Sequence, residues 1–152
     1  MPATFSPAST VVGGLAQALR PHAPFAAMDD ADVERVVRAS RLKYFASGDT
    51  ILTPTAQRPE HCYIVKQGTV RGERPGQGGL AVGLWELTAG EMFPLGALLG
   101  RRGVTSVYRA VHDTFVLVFS AAEFDALVAR SAPFRDFCTR GLAHLLDLLR
   151  AE

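Results

Sequence analysis

Three glycine-centred segments decide the fold of this chain: YFASGD at residues 44–49, YIVKQGTV at 63–70 and LTAGEMF at 87–93. In each segment a short run rich in apolar and β-forming residues leads to a glycine. Such runs predict strands, and each glycine predicts a turn that needs a positive φ or a close backbone approach. The chain is therefore predicted to contain short strands joined by tight turns, which is typical of a sandwich or a barrel.

Helical patterns flank these predicted strands. Apolar residues at helical spacing predict one helix that ends at Pro21 and a second that begins at Asp29–Asp30, whose side chains can cap it. From Arg41 the period becomes that of strands, and about seven strands are predicted up to Phe119. We therefore divide the 152 residues into N-terminal helices (1–40), a strand region (41–119) and C-terminal helices (120–152), all in one domain.

The composition narrows the class of protein. Apolar residues make up 48% of the chain, and 16 Lys and Arg against 15 Asp and Glu leave a net charge of +1. This balance provides no broad attraction to nucleic acid or to an anionic membrane. No apolar run approaches the ~20 residues of a membrane helix, and the first ten residues lack the features of a signal peptide. Cys62 and Cys138 are thus expected to be reduced thiols in a cytoplasmic protein.

The C-terminal third carries the clearest helix signals. Ser120 and Glu123 fit a capping box, in which each side chain satisfies a backbone N–H. Ser131 and Pro133 open a final helix with a wide apolar stripe. Two interpretations stay open: the stripe packs on the strands, or its excess apolar face pairs with a second subunit. The predicted homodimer interface consists of Gly141, Leu142, Leu145 and Leu149.

The three glycine segments, in this order and with helices at both ends, resemble the cyclic nucleotide-binding domain family. That family includes the bacterial catabolite activator and the regulatory subunits of cyclic-AMP-dependent kinase. The resemblance extends from about Phe25 to Leu149, and YRAVHDT at 108–114 resembles the strand after the family's phosphate-binding cassette. It implies a mainly β fold, a β-roll or jelly roll with flanking helices, that is regulatory and not enzymatic. The implied ligand is a cyclic nucleotide or a related small phosphate.

The segment that resembles the cassette, residues 90–105, departs from the family pattern at both charged positions. Members that bind cyclic AMP carry a Glu that accepts a hydrogen bond from the ribose 2′-hydroxyl and an Arg that pairs with the phosphate. Leu95 stands at the Glu position and Val104 at the Arg position, whereas Thr105 keeps the hydroxyl. Loss of two contacts worth about 1.5–3 kcal/mol each predicts roughly 10²–10⁴-fold weaker binding of cyclic AMP.

The ligand site that the resemblance implies combines the cassette with positions on the strands. Its members are Phe93, Pro94, Leu95, Gly96, Ala97, Leu98, Arg101, Arg102, Val104, Thr105, Gly72, Leu84 and Leu87. Arg101 or Arg102 either supplies the charge that Val104 cannot, or both are solvated residues in a turn, which is the favoured interpretation. Arg109 is expected in a structural ion pair with Asp113 or Glu86. Trp85 is expected in the core.

A second resemblance concerns the context of the domain. The runs MFPLGALL at 92–99, TSVYRA at 105–110 and FRDFCTR at 134–140 resemble a bacterial subgroup of predicted signal-transduction proteins. In that subgroup the domain precedes a pair of CBS domains and a nucleotidyltransferase-like domain. The resemblance implies that these downstream domains are the partners of an N-terminal regulatory piece.

Three classes of function compete: a ligand sensor, an interaction or dimerisation module with a closed pocket, and a cupin-like enzyme. A cupin needs clustered His and carboxylate ligands, and the four histidines show no metal-ligand spacing. No Gly-x-Ser-x-Gly motif indicates a serine nucleophile. The last helix leaves no room for a helix-turn-helix, which disfavours a transcription factor. The sensor and the interaction module remain.

Overall fold

The computed structural model of the protein describes the backbone of residues 7–75 and 81–150 and the side chains of residues 11–74, 84–141 and 143. Within these residues it contains five α-helices and eight β-strands. In chain order they are α1 (Pro7–Leu19), α2 (Asp30–Ala39), β1 (Arg41–Phe45), β2 (Thr50–Leu52), β3 (His61–Gln67), β4 (Val70–Pro75), β5 (Ala81–Leu87), β6 (Met92–Phe93), α3 (Leu95–Gly100), β7 (Val107–Ala110), β8 (Thr114–Ser120), α4 (Ala121–Arg130) and α5 (Ala132–Arg150). A 3₁₀ turn at Phe25–Ala27 joins α1 to α2.

The strands form two four-stranded antiparallel sheets, in the orders β1-β8-β3-β6 and β2-β7-β4-β5. Helices flank the sheets at both ends of the chain, so the predicted mainly β fold, a β-roll with flanking helices, is confirmed. The cassette-like segment contains the short helix α3. Among the described residues, no helix is long and apolar enough to span a membrane.

The three glycines of the deciding segments all adopt positive φ: Gly48 at 91°, Gly68 at 107° and Gly90 at 89°. A side chain would be strained in this conformation. At Gly68 there is also no room for one, since an added Cβ would lie 2.5 Å from the hydroxyl of Thr114. The glycine pattern therefore predicted the turns for the correct physical reason.

The larger part of the apolar core lies between the helices and the sheet that contains β8. It includes Phe119, Phe124 and Phe134, each almost fully buried. Burial of one such side chain stabilises the fold by about 1.5–3 kcal/mol. Phe134 and Cys138 belong to this core, so the first part of α5 packs on its own domain. The side chains of Leu142, Leu145 and Leu149 lie outside the described residues, and the dimer interface stays a prediction.

The helix ends correct two details of the capping predictions. Ser120 accepts a hydrogen bond from the backbone N–H of Glu123 at 3.1 Å, as predicted. The Glu123 carboxylate, however, pairs with Arg35 of α2 at 3.3 Å, which ties α2 to α4. Asp29 precedes α2 as its cap residue, but its side chain accepts no capping hydrogen bond. The prediction of side-chain capping there is wrong.

Candidate ligand site

The first half of the cassette and β5 line a cavity of about 800 Å³. The turn at residues 88–91, the link at 21–23 and α5 complete its walls. A cavity of this volume is in the range of small-molecule sites, about 300–1,000 Å³. Its larger apolar side chains include Trp85, Leu87, Met92, Phe93, Leu95 and Phe137.

The charged residues around this cavity are acidic. Among the described residues that line it there is no Lys or Arg, and its ionisable residues other than Tyr108 are His22, Glu86 and Glu91. Glu86 has a partner, because Arg71 on the neighbouring strand approaches it at 3.5 Å. Burial raises the pKa of the Glu91 carboxyl, and hydrogen bonds with Thr88 offset part of that rise. The described lining residues thus offer an anionic ligand neither a Lys nor an Arg.

Four aromatic rings stand in contact between the two sheets, and we call them the aromatic column: Tyr63, Phe93, Tyr108 and Trp85. Tyr63 stacks on Phe93 with centroids 5.1 Å apart, and Phe93 stacks on Tyr108 at 4.7 Å. Trp85 meets Tyr108 edge-on at 6.0 Å. Offset stacked and edge-on arrangements are the favourable ones for aromatic rings. The column fills space that an open roll would leave to a ligand.

Gly72 makes the last contact of the column sterically feasible. It pairs with Trp85 on one side and with Tyr108 on the other in the same sheet. A Cβ at Gly72 would lie 2.4 Å from the indole ring of Trp85, so the ring occupies the place of the missing side chain. Gly72, predicted as a ligand residue, is not among the residues that line the cavity and instead gives room to Trp85.

The second half of the cassette packs against the loop between β2 and β3. The Val104 amide donates to the Thr55 hydroxyl at 3.2 Å, and the Thr55 amide donates to the Val104 carbonyl at 3.0 Å. A Cβ at Gly103 would lie 1.9 Å from the Thr55 carbonyl oxygen. Val104 is only 3% exposed, so its position is occupied by a buried apolar group. Val104 lines a different cavity, of about 500 Å³, together with this loop.

Arg58 is a residue that the sequence analysis missed. Its guanidinium donates twice to the Asp125 carboxylate, at 3.0 and 2.7 Å, and to the Leu98 carbonyl at 2.7 Å. It thereby connects the β2–β3 loop to α3 and α4, and its hydrogen bonds lower the pKa of Asp125. Arg101, in a left-handed conformation at the end of α3, also approaches Asp125, at 3.5 Å. No motif signals Arg58, because the loop that contains it has no periodic pattern.

Arg102 and Arg109 are not among the residues that line the cavity. Arg102 is exposed, no carboxylate of the described residues lies within 4.0 Å of it, and its charge lowers the pKa of the lining residue Tyr108 by less than burial raises it. Arg109 donates to the Thr50 hydroxyl at 2.8 Å on an exposed face of β7. The predicted ion pair of Arg109 is wrong, because Asp113 accepts from the Ser47 amide and Glu86 pairs with Arg71.

The predicted site residues divide by position. Phe93, Leu95 and Leu87 line the cavity. Leu84, 61% exposed, does not, because the alternation of β5 directs its neighbours Trp85 and Leu87 inward. The others lie outside the cavity lining: Pro94, Gly96, Ala97 and Leu98 in and before α3, and Arg101, Arg102, Val104 and Thr105 after it.

Some lining residues were not predicted. Trp85 was expected only in the core, and Tyr108 and Phe137 were not predicted as site residues. Gly141, predicted as a dimer contact, lies on the cavity of its own chain, where an added Cβ would be 3.5 Å from the Leu95 side chain. Within the described residues, no group of three or more His, Cys, Asp and Glu is arranged to hold a metal ion.

This β-roll with flanking helices and a cavity behind its short helix is the architecture of a ligand-binding regulatory domain. The family model of the cyclic nucleotide-binding domain matches residues 42–131, more than half of the chain. The chain belongs to the cyclic nucleotide-binding domain family. A search of curated proteins finds no match to it.

Solved structures of this family share the fold. The regulatory domain of Toxoplasma gondii PKA with cAMP has a TM-score of 0.78 and 19% identity, over 90% of this chain and 52% of that one. The regulatory subunit of a cAMP-independent protein kinase A from Trypanosoma cruzi, bound to guanosine, has a TM-score of 0.76 and 18% identity, over 89% of this chain and 47% of that one. The Thermus thermophilus catabolite activator protein has a TM-score of 0.61 and 26% identity, over 77% of this chain and 53% of that one. The chain spans about half the length of these three.

Proposed function

We propose that this domain is a sensor that binds an uncharged, nucleoside-like molecule in the 800 Å³ cavity and binds cyclic nucleotides weakly. One observation carries the proposal: the cavity has the size and the aromatic lining of a ligand site, yet no Lys or Arg among its described residues lines it. Burial of an ionised group is unfavourable unless the group is paired. A neutral planar ligand meets no such penalty there.

The contacts that the cassette lacks support the same ligand class. The Leu95 side chain lines the cavity but cannot accept a hydrogen bond from a ribose hydroxyl. Val104 is buried against Thr55 and cannot pair with a phosphate. Hydrogen bonds to charged groups contribute about 1.5–3 kcal/mol each. A cyclic phosphate in this cavity would therefore lose hydration without gaining the charged partner that offsets this loss.

The Trypanosoma cruzi protein provides a test compound of this ligand class. That protein is described as cAMP-independent, and its structure contains guanosine, which has no phosphate. At 18% identity the similarity concerns the fold alone, so guanosine serves here as a test compound and not as an assigned ligand.

In the larger protein that the sequence resembles, the domain would act as the regulatory input. Its proposed partners are the downstream CBS and nucleotidyltransferase-like domains, and a second copy of the chain through the Gly141–Leu149 segment of α5. In this role the domain performs no catalysis itself.

Isothermal titration calorimetry with matched pairs of compounds tests the proposed ligand class. Adenosine is compared with cyclic AMP, and guanosine with cyclic GMP, because each pair shares base and ribose. We expect at least one nucleoside to bind at least tenfold more tightly than its cyclic phosphate, the equivalent of ~1.4 kcal/mol. Low-micromolar binding of a cyclic nucleotide, at or above the affinity of its nucleoside, would contradict the proposal.

An interaction module is the second candidate, and the aromatic column favours it because the column already fills space between the sheets. This function predicts no binding of any nucleoside and a dimer that forms with increasing concentration. Light scattering of the domain and of a Leu145→Glu/Leu149→Glu variant measures the second property. A monomeric unmodified domain would exclude dimerisation of the isolated domain.

A further inference from the structure

Tyr108 carries a polar group that the fold leaves unused. Its side chain is only 5% exposed, and within the described residues its hydroxyl has no hydrogen-bond partner. No described side-chain polar atom is both sealed from solvent and unpartnered. The Tyr108 hydroxyl therefore retains access to open space, and the cavity is the space that Tyr108 lines.

The ring of Tyr108 packs against two other aromatic rings. Phe93 covers one face of the Tyr108 ring, and Trp85 meets the ring edge-on. Because this hydroxyl reaches open space and no described protein atom pairs with it, a ligand in the cavity can supply its hydrogen-bond partner.

The protonation state suits this role. Burial raises the pKa of the Tyr108 phenol, and the positive charge of Arg102 lowers it by a smaller amount. The phenol thus stays protonated at neutral pH. A protonated tyrosine both donates and accepts a hydrogen bond, so it can contact either kind of atom on the edge of a heterocycle.

We propose that Tyr108 is the specificity-determining residue of the cavity: its hydroxyl hydrogen-bonds the polar edge of a planar heterocycle, and Trp85 contacts the ring of that heterocycle. The inference rests on the proposed function. It adds that recognition depends on this one neutral hydrogen bond and not on a charged contact with the cassette. Trp85 is half-buried and lines the same cavity, which leaves part of its indole free for such a contact.

The test compares two conservative variants in the full domain, Tyr108→Phe and Tyr63→Phe. Both remove one hydroxyl from the aromatic column, but Tyr63 lines the other cavity and lies on the far side of Phe93. Guanosine and adenosine are titrated into each protein by calorimetry. We expect Tyr108→Phe to weaken the better nucleoside about tenfold, the effect of one lost hydrogen bond. Tyr63→Phe should leave the affinity unchanged.

Thermal unfolding without ligand provides the second readout. The Tyr108 hydroxyl has no partner to lose, so Tyr108→Phe should unfold at the same temperature as the unmodified domain or at a higher one. A clearly lower unfolding temperature would show a structural role and overturn the inference.

The outcomes for the two hypotheses are distinct. Equal affinities of Tyr108→Phe and the unmodified domain overturn the role of Tyr108 and leave the proposed function standing. Absence of nucleoside binding to the unmodified domain overturns the proposed function and this inference together.

Discussion

The two halves of the cassette-like segment have opposite environments. The first half, which contains Phe93 and Leu95, faces a cavity of about 800 Å³. The second half, which contains Gly103 and Val104, is held against the β2–β3 loop by two hydrogen bonds with Thr55. The chain thus keeps open space beside the start of α3 and packs the segment after α3 against protein.

This difference separates two properties that a cyclic-nucleotide site combines. A cavity for a base requires apolar walls and aromatic faces, which the first half and β5 supply. A phosphate requires a cation and hydrogen-bond donors, and a buried Val104 supplies neither. The proposed weak binding of cyclic nucleotides follows from this separation, because the fold is kept without the proposed phosphate contact.

The largest effect on the free energy of unfolding is expected from Gly103→Ala. Its Cβ would lie 1.9 Å from the Thr55 carbonyl oxygen, so the backbone of the β2–β3 loop would have to move. We expect a loss of about 3 kcal/mol in the free energy of unfolding, at the upper end for an overpacked site. Denaturant unfolding measures it.

Gly100→Ala is the matched control for that substitution. An added Cβ there meets only the flexible Arg102 side chain, at 3.1 Å, and should change stability by less than ~1 kcal/mol. Equal effects of the two substitutions would show that the second half is not held tightly by the loop.

A smaller effect on stability is expected from Gly72→Ala, which tests how closely Trp85 packs on β4 beside the cavity. The new Cβ would lie 2.4 Å from the Trp85 indole, which can move further than a backbone can. We expect a loss of about 2 kcal/mol in stability and a shifted Trp85 emission spectrum. Gly13→Ala in α1, where nothing lies within 4 Å, should instead stabilise the protein by about 0.5–1 kcal/mol. An unchanged emission spectrum in Gly72→Ala would contradict the described contact.

The smallest effect concerns Asp125, which connects α4 to Arg58 and Arg101. The pKa of Asp125 is lower in the folded state than its ordinary value of 3.8. The ionised carboxylate therefore stabilises the fold fully at pH values above 3.8. This stabilisation is lost as the pH falls through the lowered pKa. Asp125→Asn should cost about 1 kcal/mol at pH 7, a value reduced by the partial exposure of the pair. The difference from the unmodified domain should vanish in acid below that lowered pKa. A difference that persists there would assign the effect to packing.

The sequence predicted most of the architecture because local chemistry specified it. The turns at Gly48, Gly68 and Gly90 need a positive φ, and glycine is the residue that adopts one without strain. The helix ends at Ser120 and Ser131 follow from capping hydroxyls, which accept from the N–H groups of Glu123 and Phe134. Each of these signals acts within a few residues of the chain.

The site was predicted less well because it depends on contacts between distant segments. Leu84, predicted for the ligand site, is exposed on the opposite face of β5 from Trp85 and Leu87, since strand alternation fixes which residues share a face but not which face is inside. The contact of Arg58 with Asp125 spans 67 residues and has no sequence pattern. Tyr108 is singled out only by the rings that pack against it, and those come from two other strands.

The most direct test uses the fluorescence of Trp85, the one tryptophan in the chain and a wall of the cavity. Guanosine and adenosine, each beside its own cyclic phosphate, are titrated with excitation at the red edge of tryptophan absorption, and free tryptophan amide corrects for absorption by the base. We predict a saturable change with at least one nucleoside, at concentrations where its cyclic phosphate produces less than about a tenth of that change, in line with a tenfold or greater difference in affinity. A saturable change with a cyclic nucleotide, at a concentration equal to or lower than that of its nucleoside, would contradict the proposed ligand class.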